Sequence, residues 1–390
     1  MRTLTAARLW NGKELLDNPL LEIEDGFIRS ISSRAARDLP AGTQSGVSDF
    51  PGATLAPAFF DVHIHGAAGH DVMEATPEAL ATMGRFLASR GTGSFLATTV
   101  TAPLDMTLRA LEGLAKLIDH LGQIEGQGVA RPIGIHLEGP FLSHAKCGVQ
   151  PKEHLLAPDI AIFDRLFEAS GGHARLMTLA PELPGATELA AHATSRGVRV
   201  SMGHSDAKAA ETRAAIAAGA VSATHTFNAM RALDHREPGI LGTVLTTDSL
   251  FSELICDGIH TTPEIAKLWW RAKGPERAIL VTDAMSAAGM PDGEYQLGGF
   301  AVQVANGRAT ARGVLAGSLL TLDRALQNFL SFTGAPLEQA LRLLTVNPSG
   351  MTGFSKQAGS IAVGKAANLV ALGADGKLIA TFIEGQITAS

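Results

Sequence analysis

Residues 94–120 read SFLATTVTAPLDMTLRALEGLAKLIDH and contain the pattern that decides the fold. Residues 94–100 form a short apolar run that is typical of a buried β-strand. Residues 104–120 then space their apolar side chains at the helical period, and Pro103 stands at the helix start, where its missing N–H costs nothing. The stretch therefore predicts one βα unit.

The same alternation continues from about residue 93 to residue 283 and predicts an α/β fold. The predicted strands are residues 53–65, 94–100, 132–138, 176–180, 198–204, 222–225, 252–256 and 279–283. Helix-like stretches include residues 77–90, 104–120, 186–196, 207–218, 263–273 and 319–332. Eight parallel strands with crossovers close most simply into a TIM-like (β/α)₈ barrel, whose active site lies at the C-terminal ends of the strands. We therefore predict a barrel over residues 53–350, with any active site at the C-terminal ends of its strands.

The two ends of the chain show a different, β-like alternation. Residues 3–31 contain turns at Asn11-Gly12 and Asp25-Gly26, and residues 359–386 alternate in the same way. Neither end has enough strands for an independent sheet, so we predict that residues 1–52 and 351–390 pair into one small β-sandwich domain beside the barrel. Residues 295–310 are a further β-like stretch and predict a hairpin inserted after the eighth barrel strand.

The composition excludes several classes of protein. Of 390 residues, 46% are hydrophobic and 18% are charged, which excludes disorder as the main state. The net charge is −6 without a basic stripe, and no run reaches about 18 apolar residues, so nucleic-acid and membrane partners are both disfavoured. Two cysteines, Cys147 and Cys256, are too few for a disulfide framework. With no visible secretion signal, these features predict a cytoplasmic protein.

Imidazole and carboxylate residues end five of the eight predicted strands. His63 and His65 end the first strand, and residues two apart in a strand point the same way. Each such residue alone could be a polar residue at a strand end that only makes hydrogen bonds within the protein. The other strand-end residues of this kind are Glu138, His204, His225 and Asp283. Together the six predict a site for one or two divalent ions such as zinc, and hence metal-assisted hydrolysis.

Eight segments carry a resemblance to a known family. They are PAFFDVH at 57–63, HLEGPF at 136–141, GHS at 203–205, THTFNAM at 224–230, REPG at 236–239, DGIH at 257–260, VTDA at 281–284 and LAGS at 315–318. In these segments and in their order, nearly the whole chain resembles the amidohydrolase superfamily and, within it, the N-acetylglucosamine-6-phosphate deacetylase family. The tail at 359–370 resembles the closing β segment of the superfamily, with Asn368 where Asp is usual.

The resemblance implies an activity and roles for the six strand-end residues. The reaction would convert N-acetyl-D-glucosamine 6-phosphate to D-glucosamine 6-phosphate and acetate. Glu138, His204 and His225 would hold the main metal, while the two histidines of the first strand could hold a second ion beside Glu138 and Asp283. Asp283 would be catalytic, taking a proton from water and returning it to the departing amine. One metal and two metals both stay open.

The resemblance also implies the residues that hold the substrate. They are Asn228, the backbone N–H of Ala229, Arg236 and His260, and Arg suits bidentate contact with phosphate. In the family the matching Arg reaches in from the neighbouring subunit, which implies a homodimer.

One position departs from the family pattern. Gln150 stands where the family usually carries His, in a loop that borders the sugar. Gln can hydrogen-bond sugar hydroxyls but cannot carry charge, so the preference between sugar epimers can differ. N-acetylgalactosamine-6-phosphate deacetylase activity is therefore an alternative, and a relaxed or unphosphorylated substrate is a weaker one.

Two further alternatives stay open at this point. The chain could be another amidohydrolase, such as a dihydroorotase or a D-aminoacylase, because one fold hosts many substrates. It could also be a catalytically inactive scaffold that keeps the barrel for assembly. The combination of Asn228, Arg236 and His260 argues against the first, and the intact strand-end ligands argue against the second.

Overall fold

Eight parallel strands form a barrel in this computed structural model, which describes residues 2–33, 47–120 and 128–388. Each strand pairs with the next one along the chain, and a bridge between Ile64 and Ala284 joins the first strand to the segment after the eighth. The barrel strands, numbered one to eight here, are Phe59–Ile64, Thr92–Thr99, Arg131–Glu138, Ala174–Leu179, Arg199–Met202, Ala220–Ala223, Phe251–Ile255 and Ala278–Val281. The predicted (β/α)₈ barrel is confirmed.

Helices cover the outer face of the barrel, so its strands are buried on both faces over most of their length. The α-helices of the described residues are Pro77–Ser89, Leu104–Asp119, Ile160–Ala169, Ala186–Ser195, Ala209–Ala217, Gly239–Thr246, Pro263–Arg277, Leu322–Thr333, Leu337–Leu344 and Val346–Thr352. The six helix-like stretches of the sequence correspond to helices. Four of the helices lie outside those six stretches: Ile160–Ala169, Gly239–Thr246, Leu337–Leu344 and Val346–Thr352. Among them, Gly239–Thr246 is buried along most of its length and lacks an apolar period.

Strands from both ends of the chain share one sheet of eight strands, which confirms the small β domain formed by the termini. Its strands are Arg2–Trp10, Leu15–Asp17, Pro19–Glu24, Phe27–Ser33, Val47–Pro57, Leu369–Leu372, Leu378–Ile383 and Gln386–Ile387. The predicted strand at 53–65 is divided at Ala58, with Val47–Pro57 in this sheet and Phe59–Ile64 in the barrel. Residues 53–65 are buried throughout, so hydrophobicity does not mark the change of sheet. The domain boundaries at residues 52 and 350 stay predictions.

The inserted hairpin is a four-stranded antiparallel sheet, Gly293–Leu297, Phe300–Ala305, Arg308–Ala311 and Val314–Leu315. It follows barrel strand eight and places Leu297, Val314 and Leu315 beside the C-terminal ends of the barrel strands. Within residues 2–33, 47–120 and 128–388, no helix is long and apolar enough to cross a membrane.

Candidate metal centre

All six strand-end residues converge at the C-terminal end of the barrel. We call them the six-residue cluster: His63, His65, Glu138, His204, His225 and Asp283. Each is buried, with between 0% and 9% of its surface exposed. Their ligand atoms form three overlapping sets whose atoms lie within 4.8 Å of one another: His63 with His65 and Glu138; Glu138 with His204 and His225; and His63 with His225 and Asp283. Residues from five different strands therefore face one small volume.

The carboxylate of Glu138 lies at the centre of the cluster. Its Oε1 is 3.1 Å from Nε2 of His225, 3.2 Å from Nε2 of His204 and 3.3 Å from Nε2 of His63. Its Oε2 is 3.3 Å from Nε2 of His65. One carboxylate thus serves both groups of histidines, which is the arrangement needed to share one residue between two cation positions.

Three cluster residues have an unusual backbone conformation. His204 (φ 46°), His225 (φ 29°) and Asp283 (φ 49°) lie in the left-handed region, which is uncommon for residues other than glycine. Such strain persists only where the surrounding structure imposes it, and it is concentrated at functional sites. The barrel imposes it on Asp283, whose N–H donates to the carbonyl of His63 at 2.9 Å. The strand ends are therefore bent to aim these side chains inward.

Hydrogen bonds fix the orientation of two of the imidazole rings. Nδ1 of His65 lies 3.0 Å from the carbonyl of Thr98, and Nδ1 of His204 lies 3.0 Å from the carbonyl of Lys146. A carbonyl only accepts, so each Nδ1 carries a proton and each ring turns Nε2 toward the cluster, where this nitrogen can bind a cation once it is deprotonated. Imidazole nitrogens and carboxylate oxygens are the donors that a divalent ion such as zinc takes, so these residues fit a metal site.

The cluster also perturbs the pKa values of its members when no cation is bound. Burial raises the pKa of Glu138, but the facing histidines, His63 and His204 foremost, outweigh burial and hold the pKa well below its usual range. The pKa of Asp283 is lowered in the same way by His63 and His65. Burial lowers the pKa of His65, yet its contacts with Asp283 and Glu138 raise it to about 9. Both carboxylates are therefore ionised at neutral pH and able to bind a cation or accept a proton.

A cavity of about 280 Å³ opens from the cluster. Four of the predicted substrate residues line it: Gln150, Asn228, Ala229 and His260. Val100 and the three hairpin residues Leu297, Val314 and Leu315 form an apolar part of the wall. The site thus joins a polar, metal-binding floor to a partly apolar pocket of the size of a small molecule.

Asp257 holds His260 at the edge of this cavity. Nδ1 of His260 is 2.7 Å from Oδ2 of Asp257, whose Oδ1 accepts the backbone N–H of His260 at 2.7 Å. Burial lowers the pKa of His260, but Asp257 outweighs burial and raises the pKa above its ordinary value. Asp257 therefore stabilises the imidazolium form of His260, which suits an anionic ligand.

Gln150 has protein partners at both ends of its amide. Its Oε1 accepts the N–H of Thr101 at 2.8 Å, and its Nε2 donates to Oε2 of Glu138 at 2.7 Å. An amide has two N–H donors and two acceptor lone pairs, so contact with a sugar hydroxyl remains available and stays a prediction. The structure adds a contact that the sequence did not indicate, between Gln150 and the central carboxylate of the cluster.

Arg236 is the one predicted substrate residue that does not line the cavity. It lies in the exposed loop before the helix Gly239–Thr246, where its backbone N–H donates to the side chain of Asp234 at 2.8 Å. Leu233, in the same loop, is 58% exposed. The contact of Arg236 with the site of a neighbouring subunit stays a prediction.

Sequence reasoning missed two buried acids next to the cluster. Glu253 lies in barrel strand seven, fully buried, with Oε2 3.4 Å from Nδ1 of His63. Asp61 lies in barrel strand one and accepts the hydroxyl of Thr282 at 2.6 Å; burial raises its pKa to about 7. A charged residue inside an otherwise apolar strand was the available signal, because an acid buried without a partner is costly.

The barrel and the cluster together define a hydrolase built around a metal-binding centre. Comparison with known proteins gives the family: the amidohydrolase family model matches residues 54–388. The chain belongs to the amidohydrolase family, and it is a hydrolase that acts on an amide.

Three relatives illustrate the similarity. The N-acetylgalactosamine-6-phosphate deacetylase of Escherichia coli O157:H7 is 39% identical over 362 residues, which cover 93% of this chain and 92% of the relative. The N-acetylglucosamine-6-phosphate deacetylase of Bacillus subtilis (strain 168) is 37% identical over 357 residues, or 90% of this chain and 88% of the relative. A structure of the N-acetyl-D-glucosamine-6-phosphate deacetylase of Mycobacterium smegmatis, in complex with N-acetyl-D-glucosamine-6-phosphate, is 34% identical, with a TM-score of 0.91 over 100% of this chain and 99% of that one.

Proposed function

We propose that this protein deacetylates N-acetyl-D-glucosamine 6-phosphate to D-glucosamine 6-phosphate and acetate. The observation that carries the proposal is the six-residue cluster at the floor of a cavity that His260 and Asn228 also line. The cluster fits amide hydrolysis, and an imidazole held by Asp257 fits an anionic group on the substrate. Relatives of this name at 36–39% identity support the same substrate class.

Zinc is the cation that we propose for the centre, as one or two ions per subunit. Glu138, His204 and His225 would hold the first ion, and His63 and His65 would hold the second together with Glu138 and Asp283. A bound divalent cation supplies polarisation of the amide carbonyl and a lowered pKa for water.

Asp283 is the proposed acid and base of the reaction. Its lowered pKa leaves the carboxylate ionised, so it can take a proton from the attacking water. The same oxygen then returns the proton to the amine nitrogen, since an amine does not leave as an anion. Oδ1 of Asp283 lies 3.2 Å from Nε2 of His65, which holds the carboxylate toward the cluster.

Substrate binding is proposed for the residues around the cavity. His260 and Asn228 would contact the sugar phosphate, and the Ala229 N–H, which meets no acceptor in the part of the chain that the structure describes, would add a donor. Arg236 would reach the phosphate from a partner subunit, and Gln150 would border the sugar while it holds Glu138.

A second candidate substrate is N-acetyl-D-galactosamine 6-phosphate. It is favoured by the 39% identity to a relative of that name and by Gln150 at the sugar border. The test is acetate release from the gluco phosphate, the galacto phosphate and unphosphorylated N-acetylglucosamine, side by side with zinc. We expect the gluco phosphate to have the highest kcat/KM. Higher kcat/KM for the galacto phosphate would refute the first candidate substrate in favour of the second. Absence of acetate release from all three compounds would refute both candidates.

Co-production of two inactive variants tests the proposed homodimer. Arg236→Ala and Asp283→Asn should each be inactive alone, but a mixed dimer would combine Asp283 of one subunit with Arg236 of the other. With random pairing, about one quarter of the wild-type activity is expected. Activity no greater than the sum of the separate variants would show that Arg236 does not act across an interface.

The metal-free protein should lose stability as the pH rises from 6.5 to about 9. The pKa of His65 is raised in the fold from 6.5 to about 9, so its imidazolium stabilises the fold fully below pH 6.5, and this contribution is lost as the pH passes the folded-state pKa. A cation needs the deprotonated ring, so metal affinity should rise over the same interval. Thermal unfolding of chelator-stripped protein as a function of pH measures the loss of stability. His65→Gln is the control, in which stability should depend less on pH over this interval. An equal dependence in wild type and His65→Gln would contradict the assignment.

We infer a cytoplasmic location for this protein. Both cysteines, Cys147 and Cys256, are buried free thiols, which suits a reducing compartment.

A further inference from the structure

Glu253 lies inside the barrel next to the cluster and is completely buried. Its Oε2 is 3.4 Å from Nδ1 of His63 and accepts the backbone N–H of His225 at 3.3 Å. Its Oε1 has no hydrogen-bond partner among the described residues. A carboxylate held away from water is costly unless it is paired, and His63 is the ionisable partner that this one contacts.

This contact differs in kind from the contacts that orient two other histidines of the cluster. Nδ1 of His65 and Nδ1 of His204 face uncharged backbone carbonyls, whereas Nδ1 of His63 faces a carboxylate. An acceptor at Nδ1 places the proton there and leaves the Nε2 lone pair for the cluster. Nε2 of His63 faces the cluster, 3.3 Å from Oε1 of Glu138 and 3.6 Å from Oδ1 of Asp283.

The charge of Glu253 has a second effect. Glu138 and Asp283 bring two negative charges to a cluster that could receive four positive charges from two divalent ions. With two ions bound, the positive charge would therefore exceed the negative charge of these two carboxylates. A third carboxylate behind His63 lowers this excess of positive charge and makes the imidazole a stronger ligand. The effect is greatest at the cation position that uses His63, because the carboxylate contacts that ring directly.

We propose that Glu253 is a positioning residue that makes His63 a metal ligand and so controls occupancy of the His63–His65 cation position. The inference rests on the proposed metal centre but not on the substrate. The first position, at Glu138, His204 and His225, depends on Glu253 only through the backbone N–H of His225. An amide oxygen can accept that N–H as well as a carboxylate oxygen can.

Glu253→Gln tests the proposal, because it keeps the shape and an acceptor oxygen while it removes the charge. Chelator-stripped, full-length protein is titrated with Co²⁺ without substrate, and uptake is followed by visible absorption and calorimetry. Wild type should bind two equivalents. In the variant the first Kd should stay within about twofold, while the second should rise about 10- to 100-fold, the usual effect of losing the outer partner of a ligand.

Ser222→Ala is the matched control. It changes another fully buried polar side chain, in the adjacent barrel strand six, whose hydroxyl has no partner in the described chain. It should bind both equivalents as wild type does. Uptake of one equivalent by wild type, an unchanged second Kd in Glu253→Gln, or equal weakening of both equivalents in a folded variant would each overturn the proposal.

Histidine-selective ¹⁵N NMR of the metal-loaded wild type gives a measurement that does not depend on folding of a variant. The proposal requires His63, assigned by its loss in His63→Gln, to be protonated at Nδ1 and metal-bound at Nε2. The opposite arrangement would overturn it. Selective loss of the second Co²⁺ in Glu253→Gln, without acetate release from any sugar phosphate by wild type, would support this inference while refuting the proposed function.

Discussion

Asp283→Asn is expected to lower kcat by about 10²- to 10⁴-fold, the usual contribution of a positioned acid and base. The amide has nearly the shape of the carboxylate but cannot take a proton from water or return one to the amine. The proposed first metal set, Glu138, His204 and His225, does not include Asp283, so the first ion should be retained as in wild type, and any loss of metal should be confined to the second position, which includes Asp283. Steady-state acetate release and elemental analysis of the same preparation measure the two quantities.

Asp71→Asn is the matched control for this prediction. Asp71 is also a buried aspartate, but it accepts the N–H groups of Met73 and Gly298 at 2.8 Å and lies outside the cluster. Asparagine keeps the acceptor for one of these N–H groups and loses the other, so the variant should lose some stability, but kcat of the folded protein should be near that of wild type because Asp71 lies outside the cluster. A near-normal kcat for Asp283→Asn would remove Asp283 from the chemistry.

Glu138→Gln is expected to lose both bound metal and activity. The carboxylate is the one group that contacts four histidines of the cluster, and the amide removes its charge and one of its two acceptor oxygens. Metal affinity should fall by at least about 100-fold, beyond the range for outer partners of a ligand. Elemental analysis after dialysis against a weak chelator, with acetate release in parallel, is the measurement.

Glu182→Gln is the control for the loss of a carboxylate near the C-terminal ends of the barrel strands. Glu182 accepts the hydroxyl of Ser205 at 2.7 Å and the N–H of Asp206 at 2.6 Å without contacting the cluster. It should retain metal and activity. Full metal content in Glu138→Gln would mean that the cation is held elsewhere.

The sequence was sufficient to predict that the six residues meet, because they end strands that the barrel brings to one edge. Eight apolar runs define those ends, so the convergence of residues such as His204 and Asp283 follows from topology alone. The cavity position of His260 follows in the same way, since it comes shortly after barrel strand seven.

Other features depend on side-chain directions and loop paths that hydrophobicity does not encode. The contact of Gln150 with Glu138 requires the loop after barrel strand three to fold back over the cluster. The contact of Glu253 with His63 requires the side chains from barrel strands one and seven, the two neighbours of strand eight, to point into the barrel interior. The division of residues 53–65 between two sheets leaves no mark in composition, because both parts are buried.

The most direct test of the account is turnover of N-acetyl-D-glucosamine 6-phosphate as a function of bound metal. Protein stripped with a chelator and then titrated with zinc should release no acetate at first and should recover in proportion to the zinc bound. Undiminished turnover by metal-free protein, or no acetate from either sugar phosphate epimer at full zinc loading, would contradict the account.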